Sequence, residues 1–245
     1  MWELLRVKQE VDISVVVPVY NEEKNLPLLI PQLVEVLQPL GKSYEMIFVD
    51  DGSTDKSRKI LKGMVSRYPE IRMIGFKRNF GETAAGAAGL KEARGKIVIT
   101  IDADLQNDPK DIPAMLNCLK EYDMVTGWRQ KRDDPWIKRI TSKIANKIRN
   151  GLSGEMIEDS GCTFRAYKRE CLQNLKLYKG LHRFMPTLVK MEGYRVVEIP
   201  IAHHPRKFGV SKYTTWNRMW RAFVDLLAVR WMKSRHIRYE IEERI

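Results

Sequence analysis

Short runs rich in Val and Ile recur through the first half of the chain, and each is followed by a stretch with helical spacing. Residues 13–19, 46–49, 71–76, 97–101 and 124–127 read as strands, with helices expected over 25–37, 55–68, 82–93 and 109–121. In the first helix Leu26, Leu29, Leu33 and Leu37 fall on one face. The strand runs are nearly continuous in apolar residues. That is what a strand needs when helices cover both faces of its sheet. The alternation predicts an α/β fold with a mostly parallel sheet, and such sheets bind ligands at the carboxyl ends of their strands.

Further along, residues 134–150 read as a basic helix, 161–167 and 194–203 as strands and 181–191 as a helix. Residues 214–232 form an amphipathic pattern in which Trp216, Trp220, Phe223 and Leu227 follow one another at spacings of four, three and four. Arg218, Arg221, Asp225 and Arg230 interrupt it too often for a bilayer span, whereas aromatics mixed with Arg suit the interface plane. Nowhere do about 18 uncharged apolar residues run together. The opening Met1-Trp2-Glu3-Leu4-Leu5-Arg6 lacks the apolar stretch of a signal peptide. The expected division is a catalytic domain over 1–212 and an amphipathic, basic C-terminal helical extension over 213–245 without a transmembrane span. Cys118, Cys162 and Cys171 are sparse and have no metal-ligand spacing, which argues against a disulfide scaffold and suggests a reducing compartment.

The formal net charge of +12 is concentrated in two places: residues 129–149 carry +6 and residues 203–245 carry +6. A neutral body with two cationic segments points to a local anionic partner: nucleic acid, acidic headgroups or a phosphorylated substrate.

Three carboxylate-bearing segments lie just past expected strands: Pro18-Val19-Tyr20-Asn21-Glu22, Asp50-Asp51-Gly52-Ser53-Thr54-Asp55 and Asp102-Ala103-Asp104-Leu105-Gln106. One acidic turn alone is a weak signal, but three converging at one sheet edge make a shared site. Asp102 and Asp104 point to opposite sides if the strand persists, and to one pocket if it turns. Two carboxylates and the Gln106 amide oxygen are hard ligands suited to Mg²⁺ or Mn²⁺, with substrate phosphates completing the shell. An EF-hand starting at Asp102 would need Gly and Glu where Asn107 and Pro113 stand. Residues 81–86 lack the Lys-Ser/Thr of a P-loop, and no G-x-G-x-x-G follows the first strand. Gly86 and Gly89 are expected to serve close helix packing.

P-V-Y-N-E, V-D-D-G-S-T-D and D-A-D-L-Q, in this order and at these distances, resemble the inverting nucleotide-sugar glycosyltransferases of the GT-A fold. The resemblance spans residues 12–213. It implies that Pro18, Tyr20, Glu22 and Asp51 hold the base and ribose and that Asp50 supports the turn. It also implies that Asp102 and Ala103 contact the nucleotide, while Asp102, Asp104 and Gln106 serve the metal. Asp102–Pro109 together with residues 206–213 (R-K-F-G-V-S-K-Y) is similar to the polyprenyl-phosphate glycosyltransferases, a group that includes dolichol-phosphate mannose synthases and undecaprenyl-phosphate sugar transferases. Residues 159–162 and 165–167 also look like these enzymes, especially the aminoarabinose-transferring branch. Many members carry Lys or Gln after the R-N-F-G segment, where this chain has Glu82-Thr83.

The implied reaction is a single displacement with inversion, moving a hexose from GDP-mannose or a UDP-hexose to a polyprenyl or dolichyl phosphate. A phosphate acceptor is already largely dianionic at neutral pH, its second pKa being near ~6. It needs guiding more than deprotonation, and Arg129, Arg206 and Lys212 are assigned to it. Asp159 is the candidate base if the acceptor is instead a hydroxyl, and otherwise orients the acceptor or the basic groups. The expected setting is the cytoplasmic face of a membrane, bound peripherally. Three rivals are the same donor chemistry with a polysaccharide acceptor, a nucleotidyltransferase that would release pyrophosphate, and a basic nucleic-acid-binding protein. The last is disfavoured because three acidic segments would repel a phosphate backbone.

Overall fold

Six of the apolar runs form strands whose ends lie within two residues of those expected. They are β1 (Val11–Val19), β2 (Tyr44–Asp50), β3 (Ile71–Gly75), β4 (Gly95–Thr100), β5 (Met124–Arg129) and β7 (Val196–Ile201). The computed structural model describes residues 10–129, 157–159, 161–175, 178–208, 215–237 and 243, with the backbone alone at 181 and 215–222. The basic stretch expected over 134–150, and Lys212 with its neighbours, lie outside the described residues.

The strands make one sheet in the order β3-β2-β1-β4-β6-β5-β7, in which β6 is Arg165–Lys168. Every pairing is parallel except those of β6, which runs antiparallel to both β4 and β5. The sequence had this strand starting at residue 161. The structure shortens it because residues 161–164 leave the sheet to pass the site, where Thr163 meets Asp102.

Helices cover both faces, as the unbroken apolar strands require. On one face Leu26, Leu29, Ile30, Leu33 and Leu37 of α1 (Leu26–Leu37), Leu61 of α2 (Ser57–Arg67) and Ile112 and Met115 of α4 (Ile112–Cys118) share a core with Ile13, Val15 and Val17. On the other, Ala85 of α3 (Glu82–Glu92) packs with Val16, Ile47, Val49 and Val98. Gly89 makes this contact possible, because a Cβ there would stand 2.2 Å from a Val16 methyl. Gly86 behaves otherwise than expected. Nothing lies within 4 Å of where its Cβ would be, and it faces a cavity beyond the end of the sheet.

A second core joins Met124 and Tyr167 to α5 (Met185–Met191) and to Leu226 and Val229 of α6 (Thr215–Ser234). One side of the C-terminal helix therefore packs against the body. The other side exposes Phe223, Val224, Leu227 and Trp231.

The helix expected over 109–121 is a 3₁₀ turn, Pro109–Asp111, leading into α4. The Asp108 carboxylate accepts from the Lys110 N–H at its start. Such a side-chain acceptor satisfies one of the N–H groups that a helix start leaves unpaired.

Candidate active site

The carboxyl ends of β1, β2 and β4 lie side by side, and the loops that leave them are tied together by short polar side chains. Asn21 adopts a left-handed backbone (φ 57°), and its amide oxygen accepts from the Thr54 N–H at 2.8 Å. Its own N–H donates to Ser53 Oγ at 3.0 Å, and the Glu22 N–H donates to Ser57 Oγ at 2.8 Å. The P-V-Y-N-E and D-D-G-S-T-D segments thus form one wall.

Asp50, wholly buried, accepts from the Ser53 N–H and pairs with Arg58, which is the turn-supporting part expected of it. Asp51 is more deeply engaged than a ligand-binding carboxylate need be. It accepts from Asn79 Nδ2 (2.9 Å) and from the Phe80 (2.7 Å) and Gly81 (2.9 Å) N–H groups. Its first structural task is to hold the R-N-F-G loop against this wall. Glu22 accepts from Asn25, while Pro18 borders the cavity beside Asp102.

The strand β4 ends at Thr100, and the chain turns at once, with Leu105 left-handed (φ 60°). At the turn the two carboxylates take different partners: Asp102 accepts from the Thr163 hydroxyl and Asp104 from the Arg206 guanidinium. Burial pushes the Asp102 carboxyl up to about 7, and the neighbouring Glu82 and Asp104 add to the rise. The Thr163 hydroxyl bond and the Arg129 charge only partly offset it. Ala103 is buried beneath the turn.

Among the described residues no group of three or more His, Cys, Asp or Glu side chains forms a metal cage. The donor set suits a cation that keeps water and takes substrate phosphates as ligands, as Mg²⁺ and Mn²⁺ do. Two carboxylates and an amide oxygen carried on one turn are hard oxygen donors, so the residues present fit such an ion.

Arg206 is the cation that meets this turn. Its guanidinium donates to Asp104 at 2.8 Å and to Gln106 Oε1 at 3.4 Å. The backbone brings it there: His203 pairs with Asn107 in an isolated antiparallel bridge, and the His204 N–H donates to the Gln106 carbonyl at 2.8 Å. His204 also faces Asp108, 3.3 Å away. The residue expected on an acceptor phosphate is therefore joined to two residues expected on a metal.

Arg129 and Asp159 likewise meet each other, through Nε–Oδ2 at 2.6 Å and Nη2–Oδ1 at 2.8 Å. Burial alone would lower the Arg129 pKa, but the Asp159 bonds and charge raise it above its ordinary value. A carboxylate accepting two charge-assisted bonds is a weak base.

Other residues around Asp102 stand outside the three acidic segments. Thr163 donates to it, and Thr83, His182 and Arg165 line the same cavity. Glu82-Thr83 stands in the sequence only as a departure from a pattern, and Arg165 within a segment that resembles the family. Thr163 and His182 carry no signal there, and the fold brings them to Asp102.

A mostly parallel sheet with acidic turns at its carboxyl edge is the arrangement of the GT-A class of nucleotide-sugar glycosyltransferases. The family model for glycosyl transferase family 2 matches residues 14–176, and the chain belongs to that family. It is 38% identical over 227 residues to a dodecaprenyl-phosphate galacturonate synthase of Rhizobium johnstonii, covering 90% of this chain and 67% of that one. Among solved structures it is similar to a mannosyltransferase of Pyrobaculum calidifontis in complex with GDP-Man and Mn²⁺ (TM-score 0.62, 20% identity, 93% of this chain and 65% of that one). It is also similar to the glucosyl-3-phosphoglycerate synthase of Mycobacterium tuberculosis in complex with Mn²⁺, UDP and glucosyl-3-phosphoglycerate (TM-score 0.64, 20% identity, 91% and 80%). The chain thus spans about two-thirds of the length of the first two. At such identities the solved structures establish the GT-A fold alone.

Proposed function

We propose that the chain transfers a sugar from a nucleoside-diphosphate sugar to a polyprenyl phosphate at a membrane surface, with Mg²⁺ or Mn²⁺ held by Asp102, Asp104 and Gln106. The observation that carries this reading is the turn after β4, which bears Asp102, Asp104 and Gln106 beyond the ends of β1 and β2 and is met by Arg206. The 38% identical relative, named for a dodecaprenyl-phosphate product, supports the acceptor class.

When bound, the divalent ion supplies charge neutralisation on the departing diphosphate. The chain does the rest. Pro18, Tyr20 and Glu22 form the base and ribose wall, and Asp51 fixes the R-N-F-G loop beside it. Arg129, held by Asp159, presents a permanent positive charge near Asp102. Arg206 crosses from Asp104 to a phosphate oxygen when donor and acceptor are in place, and the acceptor phosphate, already largely dianionic, needs no general base. Asp159 is a positioning residue in this scheme. Its bidentate bond to Arg129 weighs against the hydroxyl-acceptor reading, in which it would have to take a proton.

Arg206→Ala should raise the acceptor KM about tenfold, the scale of one charged hydrogen bond. The donor KM should move less than about twofold. Steady-state kinetics with each substrate varied in turn checks this, and a loss confined to the donor KM would remove Arg206 from the acceptor.

No helix among the described residues is long and apolar enough to cross a membrane. The membrane contact is assigned instead to the outward side of α6, where Trp231 is 63% exposed beside Leu227 and Phe223, with Arg230 and Arg235 also exposed. The side chains of Trp216 and Trp220 lie outside the described residues. Flotation with anionic liposomes should show binding that weakens with salt and falls in Leu227→Ser/Trp231→Ser. Binding that ignores both changes would place the contact elsewhere.

A further inference from the structure

Residues 161–164 pass the carboxyl end of β4 just before β6 begins, and their backbone is pinned from several sides. The Thr100 hydroxyl, at the end of β4, donates to the Thr163 carbonyl at 2.6 Å. The Gly127 N–H of β5 donates to the Phe164 carbonyl at 3.0 Å, and the Phe164 side chain is wholly buried in the core. At the other end the Cys162 N–H donates to the Asp159 carbonyl at 3.2 Å. The Asp159 N–H in turn donates to the Glu198 carboxylate of β7 at 3.1 Å. Gly161 leaves room beside Arg129, since a Cβ there would stand 3.3 Å from Nη2 of that side chain.

This held backbone turns one hydroxyl toward the acidic turn: Thr163 Oγ1 donates to Asp102 Oδ2. The torsion that sets the plane of an aspartate carboxylate is broad when nothing restrains it. A hydroxyl bound to one oxygen fixes that plane and leaves the second oxygen for another partner. Resting on the donor-site reading above, we propose that Thr163 is a positioning residue for the divalent ion, its hydroxyl holding the Asp102 carboxylate so that the second oxygen meets the metal. Thr100 acts one step further back, by fixing the Thr163 carbonyl. Asp159, which clamps Arg129, stands just before the same stretch. The metal ligand and the basic group are therefore set by neighbouring parts of one piece of chain.

Calorimetric titration of Mn²⁺ in the presence of UDP or GDP tests the proposal. Thr163→Val removes the hydroxyl at nearly constant shape and should weaken Mn²⁺ binding roughly 10- to 100-fold, as loss of the group that orients a metal ligand does. Thr163→Ser, which keeps the hydroxyl, should stay within about threefold of wild type. Thr163→Ala takes the place of the valine variant if a methyl against the Asp102 carboxylate harms folding, which thermal melting reveals. A purely structural role for Thr163 would move the melt and leave the Mn²⁺ affinity alone. Unchanged Mn²⁺ affinity in a folded Val or Ala variant overturns the proposal, as does a Ser variant as weak as either, even where Asp104→Asn abolishes Mn²⁺ binding. Wild-type protein that binds no Mn²⁺ with either diphosphate overturns the donor-site reading, and this proposal with it.

Discussion

Asp104→Ala should reduce turnover by about a thousandfold or more, because a metal's contribution to leaving-group charge is worth several kcal/mol and each 1.36 kcal/mol is a factor of ten. Of the two carboxylates, Asp104 is the one joined to Arg206. Its removal takes a ligand from the ion and also leaves Arg206 without its partner at the turn. Asp104→Asn separates the two effects: it keeps the shape and a hydrogen-bond acceptor for Arg206 but loses the charge. If the carboxylate serves the metal, the Asn variant should be nearly as impaired as Ala, and higher Mn²⁺ should restore part of its activity. If it serves only to hold Arg206, Asn should remain active at any metal concentration. Folding is the control, and the thermal melt of the Asn variant, which keeps an acceptor for the Gln106 N–H and for Arg206, should hardly change.

The largest effect on stability is expected far from the chemistry, at Glu45. Its carboxylate is 2% exposed and lies between β1, β3 and the start of β4. It accepts from Ser14 Oγ (2.7 Å), Arg72 Nη1 (2.8 Å) and the Arg94 N–H (2.8 Å) and guanidinium (2.7 Å). Burial raises its pKa, but the bonds from Arg94, Arg72 and Ser14 outweigh that and bring it down to about 2. Glu45→Gln leaves two arginines without their shared anion, a change that costs roughly 3–5 kcal/mol when a buried pair is broken on one side. Urea unfolding at neutral pH measures it.

The pH dependence has a definite sign. A carboxyl group whose pKa falls on folding contributes stability that is complete above its unfolded value. That contribution is lost as pH falls from about 4.5 through about 2. The gap between wild type and Glu45→Gln should therefore be widest above pH ~5 and narrow by roughly 3 kcal/mol toward pH ~2. A gap independent of pH would mean that the carboxylate charge is not what binds the two arginines.

Much of the fold was legible because its signals are local. A Val/Ile run buried on both faces announces a strand, and Leu at helical spacing announces the face of α1. The direction of β6 has no such signal. Arg165–Lys168 reads like any short strand, and only its partners on both sides make it antiparallel. The polar loops after β1 and β2 and the acidic turn after β4 were legible for the same reason as the strands, since they follow strand ends in sequence. The pairing of charges was not. Arg206 and Asp104 are joined by a backbone bridge between His203 and Asn107, and Arg129 and Asp159 meet across 30 positions of sequence. Glu82 and His182 stand 100 positions apart and meet over Thr83. Sequence identifies groups able to do this chemistry, whereas the fold decides which of them neutralise one another.

The acceptor is the claim on which the rest depends, and one measurement addresses it directly. A nucleotide-sugar labelled in the sugar is incubated with the protein, a short polyprenyl phosphate and Mg²⁺ or Mn²⁺, and the label is followed into organic solvent while the nucleotide product is identified. The account predicts extractable label that requires both the lipid phosphate and the divalent ion, with one nucleoside diphosphate released for each sugar transferred. Label that stays in water-soluble product without need of the lipid, or release of pyrophosphate in place of the nucleoside diphosphate, would contradict it.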